Sequence, residues 1–364
     1  MTVTGFIKRH PVCSFFALAF AYSWIWWGIL FVVAPKGFEA GRAEMGALAL
    51  YGLFGATGST VASIVTTRIV DGRDGLRLLF SRLVKWRIDF VWYGAALFIT
   101  PLLLTTILST LSFVVSPVFL PAMITSRGIA TLVGFGIIVG LVAGFFEELG
   151  WTGFAIPKLQ THYSALATGL IVGVVWGIWH FLPDFWGRVG SYGAFYIPNY
   201  VIFVIGVIAY RILIVWVYNN SKGSLLLAVL MHASFSGSQA IFIPPLSVAE
   251  WVLVQAVFAA VLWLVVAVVV ATTGKRLVWE PSRKTRDSDK VCGGPGGTRN
   301  NLAPIDGSKI AGGLNLEAFE GTRCGILSYS LLELSSEFPV AWTGCTGLPC
   351  PHILWRASRK TRGG

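Results

Sequence analysis

Charge is scarce in this chain. Only 12% of its 364 residues are Asp, Glu, Lys or Arg, and 55% are hydrophobic. Soluble domains carry about 25% charged residues, so a soluble globular protein is excluded and a polytopic membrane protein expected. Acidic residues are scarcer still, 17 against 28 Lys and Arg. The resulting net charge of +11 is not a nucleic-acid surface. The basic residues cluster between apolar runs and in the tail, as orientation in a bilayer requires, and no nucleic-acid partner is expected. Cysteine is sparse and irregular: Cys13, Cys292, Cys324, Cys345 and Cys350. That spacing argues against a disulfide framework or a zinc site in the tail. No small-residue cleavage site follows Lys8 and Arg9, so an uncleaved first helix is expected rather than a signal peptide. The soluble zinc-hydrolase pattern H-E-x-x-H is also absent.

Long apolar runs, by contrast, are abundant. Crossing a hydrocarbon core takes about 20 apolar residues in a helix, and eight segments qualify: roughly 13–34, 45–67, 90–115, 129–147, 163–182, 195–218, 224–243 and 250–273. The second, with GATGSTVAS, is rich in small residues that suit close helix approach. Pro101 predicts a kink in the third. The segment 73–87 alternates Leu and Phe with Arg and Lys, the pattern of a helix lying along a leaflet. Basic residues crowd the loop between the second and third spans and recur at Lys158, Lys222, Lys275 and Arg276. The opposite loops hold fewer, and Glu39, Glu44 and Asp184 offset some of them. The positive-inside rule then puts both termini in the cytoplasm, in a multi-pass protein of the cell membrane. The expected domains are a helical one over 1–275 and a disordered cytoplasmic tail over 276–364, which is polar and Gly-rich at first and has no sustained period.

A few ionisable residues interrupt the apolar runs. An ionisable side chain within the bilayer costs at least about 2.5–3.5 kcal/mol on insertion scales, which makes each one a candidate for function. Glu147 and Glu148 close the fourth span, and His180 and His232 lie inside the fifth and the seventh. Neighbouring residues on a helix point about 100° apart. The two carboxylates therefore have different tasks, one facing the bundle interior and the other supporting it. Trp176 and His180 are four apart, as are His232 and Ser236, so each pair shares a face. At a rise of about 1.5 Å per residue, the carboxylates and both histidines can meet at one depth. Two mechanisms follow. In one, Glu147, His180 and His232 bind a metal, zinc being favoured, with an open position for water. In the other, Glu147 acts as general base on a water while a histidine stabilises the oxyanion.

EELGWTGFAIPKLQ, then WGIWH, then HASFS resembles the family of intramembrane CAAX-processing and bacteriocin-processing proteases. That family carries Glu-Glu-x-x-x-Arg, aromatic-x-x-x-His and His-x-x-x-Asn motifs on successive helices of an eight-helix bundle. The resemblance covers roughly 11–275. It implies that Glu147 is the water-activating base with Glu148 its partner, and that His180 and His232 are the second- and third-motif histidines. Three positions depart from the pattern. Thr152 stands where Arg is common, removing a cation that would pair with Glu148 or with a substrate carboxylate. Trp176 stands for Phe, keeping an aromatic wall with little expected change. Ser236 stands for Asn, keeping a shorter polar group that is counted with both glutamates and both histidines among the catalytic residues. Thr152 and Trp176 are thus assigned to substrate contact or the site wall.

The expectation is an all-α polytopic membrane protein of about eight transmembrane helices, with its site between helices 4, 5 and 7. Its function would be endopeptidase action on membrane-associated, prenylated or leader-bearing peptides. A non-catalytic immunity or scaffold protein is the alternative, and a proton-relaying transporter a weaker one, since no inverted repeat is visible.

Overall fold

The computed structural model describes residues 2–33 and 53–279. The tail from 280, with Cys292, Cys324, Cys345 and Cys350, and the start of the second span lie outside the described residues. Among those described there are helices and no strand. The helices are α1 (Val3–Arg9), α2 (Pro11–Val33), α3 (Gly58–Val70), α4 (Gly72–Leu83), α5 (Phe90–Val114), α6 (Ile129–Gly150), α7 (Ala165–Trp179), α8 (Phe181–Tyr192), α9 (Tyr196–Asn220), α10 (Leu225–Phe242) and α11 (Val248–Thr273). Among the described residues seven helical segments are long and apolar enough to cross a membrane, and the chain is an all-α, multi-pass membrane protein.

The expected fifth span is the exception. α7 is apolar but has only 15 residues, about 22 Å of rise, so it stops short of a full crossing. Its last turn leads through His180 into α8, a separate helix. Gly193, at φ +50°, takes a backbone conformation that L side chains rarely adopt and separates α8 from α9.

Two ladders of glycine bring the central helices to backbone distance. On α6, Gly136, Gly140 and Gly144 lie four apart, where an added Cβ would strike Gly237, Ala233 and Val229 of α10. On α7, Gly169, Gly173 and Gly177 admit Ile212, Ile208 with Arg211, and Val204 of α9. In lipid there is no hydrophobic gain from helix association, so such close packing supplies the attraction. The first ladder sets α10, with His232, beside the carboxylates of α6. The second sets α9 beside Trp176 and His180.

The basic end of the bundle is tied together by polar contacts. Lys158 pairs with Asp71 at 2.8 Å, Gln160 and Asn219 exchange side-chain bonds at 3.2 Å, and Asn220 donates to the Leu277 carbonyl at 2.8 Å. Trp279 N–H bonds Asn220 Oδ1 at 2.7 Å, so ordered packing runs past the expected boundary at 275. The basic segment 73–87 is helical over most of its length as α4, with Leu79 buried and Leu78 and Phe80 exposed.

Candidate active site

The site begins with an irregularity in the helix that carries the carboxylates. After Gly150 the backbone widens into a π-helix over Trp151–Ala155 before resuming as α over Ile156–Leu159. Such a bulge disturbs the i→i−4 ladder and commonly marks a functional position. Hydroxyls of α3 supply bonds to the carbonyls just before it. Ser59 Oγ donates to the carbonyls of Phe146 at 2.9 Å and Glu147 at 3.2 Å, and Thr60 Oγ1 donates to Phe146 as well. Ser and Thr often satisfy freed backbone in this way inside a membrane. The polar stretch GSTVAS therefore does more than allow close approach: it holds the turn from which both glutamates project.

Glu147 faces a cavity of about 530 Å³. Its Oε2 accepts a bond from the Trp176 indole N–H at 2.6 Å and lies 4.0 Å from His180 Nε2. His180 Nδ1 is 2.9 Å from the Trp176 carbonyl. A carbonyl only accepts, so Nδ1 carries the proton there and Nε2 is the free nitrogen. His232 and Ser236 line the same cavity, as do Trp176 and His180.

Glu148 is sealed. It is fully buried, does not line the cavity, and has both oxygens occupied. Oε2 accepts from Arg211 Nη1 at 2.7 Å and from the Thr152 hydroxyl; Oε1 accepts from Arg211 Nη2 at 2.9 Å and from His232 Nδ1 at 2.7 Å. A carboxylate has room for about four such bonds, and here four donors fill it. The Arg211 fork is bidentate, the geometry a guanidinium suits best. Its carbon sits 4.2 Å from the Trp176 ring centroid, a cation–π contact. The Trp176 ring also meets His180 and His232 edge-on, at 5.4 and 5.2 Å between centroids. This one indole thus joins the cavity side of the site to the sealed side. Next to Arg211, the Tyr210 hydroxyl donates to the Met231 carbonyl at 2.7 Å, fixing α9 against α10 one residue before His232.

All seven sequence-predicted residues converge, with three corrections. Thr152 is not a substrate or wall residue: it lies behind Glu148, fully buried and outside the cavity lining. The cation expected to be missing with it is present as Arg211, supplied by α9, so the site forms between α6, α7, α9 and α10 rather than between three helices. Trp176 is more than a wall, because its indole N–H orients Glu147, a bond that Phe lacks. The proposed metal set fares differently. Among the described residues no three His, Cys, Asp or Glu side chains are arranged to hold an ion. As placed, the side chains do not form a zinc cage; Glu147 Oε1 and the Nε2 atoms of His180 and His232 are the atoms that would turn to one.

Residues 129–238 match the sequence model of the Type II CAAX prenyl endopeptidase Rce1-like family. A curated relative, CAAX prenyl protease 2 of Methanococcus maripaludis, is 33% identical over 97 residues, which is 25% of this chain and 35% of the relative. The chain thus matches about a third of that protein's length. The family match runs from the first residue of α6 into α10 and includes both glutamates, both histidines, Trp176 and Arg211. The segment that builds this site is therefore the part of the chain that is similar in sequence to the Type II CAAX prenyl endopeptidase Rce1-like family.

Proposed function

We propose that the protein is a membrane-embedded endopeptidase in which Glu147 activates water. The observation that carries this reading is the convergence of one open carboxylate and two histidines, each with a free ring nitrogen, on a cavity within an apolar bundle. Glu147 Oε1, the oxygen not held by Trp176, takes a proton from water. The 4.0 Å between Oε2 and His180 Nε2 is too long for a direct bond and can be bridged by a water. The hydroxide adds to the scissile carbonyl carbon, and His232, anchored at Nδ1 by Glu148, stabilises the oxyanion from Nε2. Collapse breaks the C–N bond, and the proton held on Glu147 passes to the leaving amine nitrogen. Substrates are membrane-associated peptides, among them prenylated or leader-bearing ones. Apolar walls from Phe203, Val207, Phe235 and Ile243 suit such a chain.

The orientation belongs to the same proposal. In it, the end of the bundle with the basic loops lies in the cytoplasm of a cell-membrane protein, with both termini on that side, a reading the positive-inside rule supports. The cavity extends the other way, to Arg188, Pro244 and Trp251. The test is cleavage of a vesicle-anchored peptide, a farnesylated cysteine followed by three residues, by the wild type, Glu147→Ala and His232→Ala. Loss of cleavage in both variants supports the reading; equal cleavage in all three, or none in the wild type, overturns it and leaves the immunity or scaffold role. Metal content measured on the same active preparation tests the zinc version.

A further inference from the structure

The cavity holds more polar atoms than the hydrolytic step uses. Asp184, Asn199, Gln239 and Gln255 also line it. Asp184 lies one turn beyond His180, its N–H bonded to the His180 carbonyl at 3.0 Å, so its side chain follows the histidine along the same wall. Its Oδ1 pairs with Arg188, but Oδ2 is buried without a hydrogen-bond partner. Asn199, reaching in from α9, is 2% exposed, and its Oδ1 also has none. Gln255 donates to Gln239 Oε1 at 3.2 Å, which leaves the Gln239 amide nitrogen available as a donor.

Buried acceptors are normally paired, and two orphans in one cavity need explaining. Their chemistry calls for hydrogen-bond donors. The Asp184–Arg188 pair is neutral as a unit, so a cation gains little there and an uncharged N–H fits better. An extended peptide offers one N–H and one carbonyl per residue, and both lose their water on entering a cavity inside a membrane. We infer that Asp184 and Asn199 form a main-chain cradle: Asp184 Oδ2 and Asn199 Oδ1 accept N–H groups of substrate residues beside the scissile bond, and Gln239 donates to a carbonyl. This rests on the endopeptidase reading and refines its substrate class to an extended, unstructured peptide held through its backbone.

The test uses Asn199→Leu, which keeps the size but removes the acceptor, and Asn199→Asp, which keeps an acceptor. Two readouts are taken: thermal unfolding in detergent, and cleavage of the farnesylated peptide against the same peptide with one flanking amide replaced by an ester. The cradle requires that Asn199→Leu raise the melting temperature, because an unpaired buried acceptor is gone. It also requires KM on the all-amide peptide to rise about tenfold with kcat little changed, and Asn199→Asp, which keeps an oxygen acceptor, to raise KM less than Asn199→Leu does. The ester should raise KM in the wild type and have no further effect in Asn199→Leu. A lower melting temperature for Asn199→Leu, or the same ester penalty in both proteins, overturns the cradle alone. No cleavage of either peptide by the wild type removes the endopeptidase reading and the cradle with it.

Discussion

Glu147 and Glu148 are adjacent on one helix yet have different surroundings. Glu147 has one oxygen held by an indole and the other turned to a cavity; Glu148 has four donors on two oxygens and no access to it. The 100° between neighbouring helical residues separates them, and the two glycine ladders decide what each one meets. The first carboxylate is left incomplete, which suits a group that must take and return a proton. The second is saturated, which suits a group that must not move. The difference suggests that one governs rate and the other governs folding and the aim of His232.

The sharpest break in that comparison is Glu147→Gln. Turnover of the farnesylated peptide should fall by about 10²–10⁴-fold, the usual contribution of a general base, with the melting temperature nearly unchanged. Arg211→Met should do the reverse. It strands a buried carboxylate and should cost about 3–5 kcal/mol, read as a large drop in unfolding temperature in detergent. Adding Thr152→Arg to an Arg211→Thr background returns a cation to Glu148 from its own helix, and should recover much of that loss if charge rather than position matters. Trp176→Phe removes one charge-assisted bond and should lower kcat by about tenfold with a smaller effect on stability. Ser236→Ala is expected to have the smallest effect, at most a few-fold in KM, since nothing else in the site leans on that hydroxyl.

Much of the plan was legible in the sequence because lipid is an unforgiving solvent. The apolar runs mark the helices, and the cost of ionisable groups marks Glu147, Glu148, His180 and His232. Arg211 satisfies the same test, a lone charge in VIGVIAYRILIVWV. The resemblance points instead to position 152, where this chain has Thr. The spacing of Gly136, Gly140 and Gly144 was also readable as a contact face, as was that of Gly169, Gly173 and Gly177; what no spacing reveals is the helix each face meets. The π-helical turn at Trp151–Ala155 had no sequence signal at all, because its support comes from Ser59 and Thr60, far away in the chain. The shortness of α7 was hidden by the apolar residues that continue past His180 into a different helix.

The bidentate grip of Arg211 on Glu148 also bears on the order in which such a site can change. A single guanidinium balances a single carboxylate, whichever of two helices carries it. A lineage moving the cation between position 152 and position 211 must pass through a protein with either no arginine or two. The first leaves a bare anion in the core, and the second crowds two like charges around one partner. Neither single step is neutral, so each substitution is tolerated only in the background of the other. Thr152 and Arg211 should therefore be inherited as a unit, and grafting either one alone into a relative should fail.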